Sequence, residues 1–219
     1  MATRQKLVSG SVLEVPLEKG FGFGYVKLVF TKDIQPKLVE NLIVKVYNRF
    51  SKKPFAGPFV AEEFETDDLL VFPFLSLGLP PLRGDGSWKP IGKASLTKED
   101  HVIPDFVFRF HFNHFIDHDK EAKSEYGIGY KREFNNNISY THNADAVRHL
   151  GYWLHRDSDS IKQLMTLYWM KVKKADPHKF YPKDEFKKYF WLKNAWEETK
   201  HDKMIFRKMP KVKRMRAVL

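Results

Sequence analysis

Histidines and carboxylates gather most densely at His111, His114, Asp117, His118 and Asp119. Neutral imidazole beside carboxylate is a ligand set suited to zinc or iron. The spacing works against it. Phe106, Phe108, Phe110 and Phe112 alternate with Val107, Arg109, His111 and Asn113, the period of a strand, on which His111 and His114 point to opposite faces. No metal and no other cofactor is expected. The chain contains no cysteine, which removes thiolate ligands, cysteine nucleophiles and disulfides together. Tyr126-Gly127-Ile128-Gly129-Tyr130 runs into Lys131 and Arg132, but lacks the glycine spacing that wraps backbone amides around a phosphate. A turn or bulge is expected there. Neither a G-x-S-x-G elbow nor an H-E-x-x-H pair occurs, so hydrolysis has no anchor and the chain reads as a non-enzyme.

Charge offers two binding surfaces instead. Glu62, Glu63, Glu65, Asp67 and Asp68 form an acidic stretch that stands out in a chain of net charge +11. Such a stretch is either a solvated loop or a patch for a basic protein partner, because charge complementarity sets association rate and partner choice. From His201 onward the balance reverses. Lys203, Arg207, Lys208, Lys211, Lys213, Arg214 and Arg216 face only Asp202, so this tail carries +6 of the total. Arg207, Lys208, Lys211, Lys213, Arg214 and Arg216 could bind nucleic acid by counterion release, or simply form a solvated terminus. Tyr152, Trp153, Tyr168, Trp169, Tyr189, Phe190, Trp191 and Trp196 sit among lysines, as rings do on a single-strand surface. Their helical spacing favours core packing.

These residues need a scaffold, and the first half reads as strands. Val12, Glu14, Pro16 and Leu13, Val15, Leu17 alternate, Glu18-Lys19-Gly20 signals a tight turn, and 21–31 continues as a strand. Gly22 and Gly24 within it predict a bulge or close backbone approach. Further strands are expected at 42–50, 69–77 and 88–94, with a loop or exposed edge over the acidic stretch. After about residue 143 the period becomes helical. Ala144, Val147, Leu150, Gly151 and Leu154 suggest one helix. Ile161, Leu164, Met165, Tyr168, Trp169 and Val172 suggest a second beginning near Ser160, after a break at Asp157 and Ser158. Lys183 to His201, opened by Pro182, suggests a third. The expectation is an α+β protein: a bent antiparallel sheet of five to six strands, or a small barrel, over 1–116, then a mainly helical region with its basic tail over 117–219.

At 219 residues, 42 % hydrophobic and 15 % aromatic, the chain is too apolar to stay unfolded. Met1 to Gly10 has no apolar stretch fit for a signal-peptide core, and no run approaches a bilayer span. A cytoplasmic protein without a membrane partner is expected.

Gly10-Ser11-Val12-Leu13-Glu14-Val15-Pro16-Leu17 followed by Gly20-Phe21-Gly22-Phe23-Gly24-Tyr25-Val26 resembles the opening of the immunity protein 26 family of bacterial polymorphic-toxin systems. Gly10, Pro16, Gly24 and Val26 carry the match. Trp88-Lys89-Pro90-Ile91-Gly92, with Leu96 and Pro104-Asp105-Phe106 after it, resembles the family's later tryptophan, Ile-Gly and proline-aromatic elements. The likeness covers roughly the first half. It implies a non-enzymatic protein that neutralises a cognate protein toxin by binding it, with Trp88 joining the acidic stretch as a candidate partner-binding residue.

Overall fold

Glu18–Gly20 form a single 3-10 turn in which Lys19 (φ 54°) and Gly20 (φ 65°) are both left-handed. That turn reverses the chain between β1 (Ser11–Pro16) and β2 (Phe23–Phe30), which pair antiparallel. In the computed structural model the described residues are 6–36, 42–65, 69–70, 73–102, 106–107, 123, 125, 128–131, 138–143, 151–152 and 155–184. A short α1 (Thr31–Ile34) follows β2, and β3 (Leu42–Ser51) returns along β2's far side. Next come α2 (Ala61–Glu65), β4 (Phe74–Ser76) and β5 (Lys89–Lys93). Beyond these lie β6 (Phe106–Val107), β7 (Ile128–Lys131), β8 (Ile138–Thr141), β9 (Gly151–Tyr152), β10 (His155–Arg156) and α3 (Ser158–Val172). The protein is α+β.

Contacts group Met1–Ile103 with His155–Thr166 as one unit, and Pro104–Leu154 with Leu167–Leu219 as another. The first unit holds a six-stranded sheet in the order β10-β4-β3-β2-β1-β5. Its strands pair antiparallel except β10, which runs parallel to β4. The sheet is open, so the barrel alternative does not form. The β5 edge carries Pro90, lysines at both ends and an irregular register against β1 between Val12 and Leu13. A missing N–H, end charges and a bulge are devices that discourage a further strand from pairing.

The expected glycine irregularity is present: the β2–β3 register shifts between Gly24 and Val26. Gly22 (φ 144°) lies so close to the Ser51 carbonyl and the Phe50 ring that a Cβ would collide with both. Both faces of the sheet are buried: Leu13, Val15, Val26, Leu28, Val44 and Val46 line one, while on the other Val12, Tyr25, Ile43 and Tyr47 share the interior with Glu14, Lys27 and Lys45. A strand buried on both sides reads as a near-continuous apolar run, which β3 does over 42–47 with Lys45 as the one interruption.

The second unit contains a four-stranded sheet, β8-β7-β6-β9. Here the structure departs from local periodicity. Gly151–Tyr152 pairs parallel with β6 and His155–Arg156 parallel with β4, where a helix through Leu154 was expected. Residues 144–150 lie outside the described residues. Partners distant in sequence override weak propensity, and Gly151 is itself a poor helix former. The segment expected as a turn or bulge around Ile128 is likewise strand β7, because β8 and β6 flank it. The alternating phenylalanines begin a strand at Phe106, and 108–122 lie outside the described residues. α3 starts where the break was expected, its N-terminus capped by Asp157 Oδ1 accepting from the Ser160 amide at 2.7 Å. The third expected helix begins at Lys183 and Asp184, with the remainder beyond the described residues.

Candidate partner-binding surface

Phe64 is the residue that seats α2. It is 2 % exposed in a cluster with Val12, Tyr25, Tyr47 and Ala94, ringed by Phe55, Phe59, Leu69 and Ile91. Its ring meets Tyr47 at 5.4 Å and Tyr25 at 5.8 Å edge-on, and stacks on Phe59 at 5.0 Å. These are the favoured aromatic geometries. Since one face of α2 points Phe64 into the sheet, Glu62 and Glu63 are held outward and exposed.

Arg49, at the end of β3, ties the helix down from outside. Its Nη1 pairs with Glu63 Oε2 at 2.9 Å, its Nη2 donates to the Glu63 carbonyl at 3.0 Å, and the guanidinium stands 4.4 Å over the Phe64 ring. Glu65 turns the other way and accepts from the Ser95 amide at 2.9 Å. The acidic stretch, expected as loop, is therefore a short helix as far as Glu65. Glu62 and Glu63 present carboxylates to solvent, Glu65 is half-buried, and Asp67 and Asp68 lie outside the described residues. Two glutamates in the first turn also suit the positive end of the helix.

Trp88 is placed otherwise than expected. It is 1 % exposed, and its backbone N–H donates to the Pro81 carbonyl at 2.7 Å. Its ring belongs to the interior rather than to a surface, as burying an indole's large apolar area favours.

Arg207, Lys208, Lys211, Lys213, Arg214 and Arg216, and the histidines at 111, 114 and 118, lie outside the described residues. Among the described residues no three His, Cys, Asp or Glu side chains converge on a common point, and no helix is long and apolar enough to cross a membrane.

Two buried polar groups were not anticipated. Glu14, 3 % exposed, accepts from the Phe55 amide and fastens the loop ahead of α2 to the sheet. Burial raises the Tyr25 hydroxyl's pKa, and the neighbouring Glu14 charge raises it further. The second group joins Lys27 and Lys45, which are direct cross-strand partners on β2 and β3. Like charges in that position repel. Asp100 resolves the conflict: Oδ2 accepts from Lys27 Nζ and Oδ1 from Lys45 Nζ, each at 2.5 Å. Lys27 also donates to the Ser95 carbonyl at 2.6 Å and Lys45 to the Glu99 carbonyl at 3.2 Å. The Asp100 carboxylate further closes a capping box with Thr97, accepting from its amide at 2.8 Å.

One carboxylate thus serves two ammoniums, and the pKa shifts follow from that imbalance. Burial alone would raise Asp100, but the Lys45 charge and the hydrogen bonds from Lys27, Lys45 and the Thr97 amide outweigh it and hold the carboxyl at about 2. Burial depresses Lys45, and its share of Asp100 only partly compensates. A carboxyl lowered in the folded state stabilises the fold above its unfolded pKa and ceases to do so as pH falls through the folded value. Between pH 4 and pH 2 the protein should lose roughly 2 kcal/mol through Asp100. Lys45 acts in the opposite direction to a paired lysine: with its folded pKa depressed, the unfolded chain binds more protons and stability rises as pH approaches 10.5. Urea unfolding across this range, with Asp100→Asn as reference, separates the acid limb from other carboxylates. An unchanged difference between the two proteins from pH 7 to pH 2 would contradict the assignment.

Comparison with family models, with curated proteins and with solved structures returned no match.

Proposed function

We propose that this chain is a non-enzymatic immunity-type protein that acts in the cytoplasm, where it binds and neutralises a cognate bacterial toxin. The observation that carries the reading is the meeting of the two segments resembling the immunity protein 26 family. Although some 80 positions apart, they are adjacent in the sheet, with Ser11 opposite Lys93 and Val12 opposite Gly92. Two of the pattern glycines sit where only glycine fits: a Cβ on Gly10 (φ 90°) would strike the Ala94 carbonyl, and one on Gly92 would enter the Phe59 ring. Residues that define a resemblance and also build one joint are what a shared scaffold requires.

The outer face of α2, with Glu62 and Glu63, is the surface offered to a basic toxin, and Phe64 and Arg49 make it rigid. Pre-organised charge raises association rate and selects partners. Reversing both charges, Glu62→Lys with Glu63→Lys, should weaken toxin binding about tenfold or more while moving stability by no more than about 1 kcal/mol. Calorimetric titration against the captured toxin, beside a thermal melt, reads both quantities.

The identifying experiment is capture from source-cell lysate, with and without nuclease and at low and high salt. One discrete protein surviving both treatments supports the toxin reading. Nucleic acid alone, lost as salt rises, would instead favour the +6 tail and a nucleic-acid-binding protein.

A further inference from the structure

Between Ala94 and Val102 the chain crosses the sheet as a strap that contributes one buried side chain after Ala94, and that side chain is Asp100. Ser95, Lys98, Glu99, His101 and Val102 are exposed, while Leu96 and Thr97 are half-buried. The backbone bonds from the Asp100 amide to Thr97 and from the Val102 amide to Glu99 close within the strap. What reaches down to the sheet is carboxylate and carbonyl oxygen, met by Lys27 and Lys45.

Apolar burial holds most segments of a fold, and a segment held by charge opens more readily. The two lysines beneath are opposed on neighbouring strands, 4 % and 10 % exposed, and together carry one more positive charge than Asp100 cancels. Sheet pairing gives no reason for that arrangement, since an apolar pair would be better. Two ammonium groups converging on both oxygens of one carboxyl group are a receptor for a carboxylate.

We propose that Lys27 and Lys45 form a two-ammonium carboxylate site on the sheet, that Asp100 is its built-in occupant, and that the strap lifts as a unit when this occupant leaves. An external carboxylate that takes the place of Asp100 keeps the strap open. The site and the acidic face of α2 are separate features, and the inference stands whether or not a toxin is the partner.

Native-state hydrogen exchange on the full unmodified chain tests the strap. The amides of Asp100 and Val102 should exchange through an opening insensitive to low denaturant, and at least tenfold faster than those of Val26 and Val44. Exchange of all four through one denaturant-sensitive opening overturns the proposal. The receptor is tested by Asp100→Ala, which removes the side-chain carboxylate. Sodium acetate at roughly 0.1 M should raise the Tm of this variant by several degrees above sodium chloride of equal ionic strength, and leave the wild type unmoved. Equal effects of the two salts on the variant overturn the receptor. Should the variant not fold in either salt, strap and sheet are one cooperative unit, and the proposal is likewise overturned.

Discussion

Replacing Phe64 with alanine should cost about 3–5 kcal/mol, the largest effect expected of any single substitution here. The ring is 2 % exposed and touches three other aromatics, so its removal takes away transfer free energy and leaves a cavity between α2 and the sheet. Collapse around that cavity is limited, because Tyr25 and Tyr47 belong to the paired strands β2 and β3 and cannot follow a five-residue helix inward. The guanidinium of Arg49 loses the face on which it lies, while its pairing with Glu63 remains. Urea unfolding measures the loss. If the acidic face of α2 is the binding surface, affinity for the captured toxin should fall with it, since Glu62 and Glu63 are no longer held in place. Phe64→Leu, which restores most of the volume, should recover both by more than half. A Phe64→Ala protein within about 1 kcal/mol of wild type would mean that α2 is not seated as described.

The second large effect is expected at Asp100. Converting it to asparagine keeps the shape but leaves two ammonium groups facing each other in the interior, and breaking a buried ion pair from one side costs about 3–5 kcal/mol. The lower end is expected, because release of the strap lets water reach Lys27 and Lys45. Lys45→Met provides the contrast. It removes the cation that the cluster cannot neutralise and leaves Lys27 and Asp100 as a balanced pair, so stability should stay level or rise by about 1 kcal/mol. The double substitution Lys45→Met with Asp100→Asn should cost less than the sum of the two, which is the signature of a direct coupling. Strict additivity of the two changes in urea unfolding would remove the case for an interacting triad.

Much of this scaffold was legible in order along the chain. The alternation of Val12 to Leu17, the turn at Glu18-Lys19-Gly20 and the strand pattern of 42–50 are local signals, and β1, β2 and β3 appear where those signals lie. Gly22 and Gly24 announced an irregularity because glycine marks backbone approach wherever it interrupts a strand. The helix after Asp157 was legible through its 3.6-residue stripe, whereas the Asp157 cap was read only as a break.

What the linear order could not carry is the meaning of charged and aromatic residues, which depends on what lies across space. Lys27 and Lys45 carry no local mark of burial, and only the register that sets them face to face, with Asp100 delivered from 55 residues beyond Lys45, turns them into a buried cluster. Trp88 reads as a surface anchor until the fold closes over it. Gly151–Tyr152 and His155–Arg156 become strands because β6 and β4 offer them partners, which no local window contains. Amino-acid order therefore determined the α+β class, the hairpin and the net positive charge, all set by nearest neighbours and composition. Tertiary structure decided which charges are buried, which ring is core and which carboxylates face outward, because burial and Coulomb energy depend on neighbours that are distant in sequence.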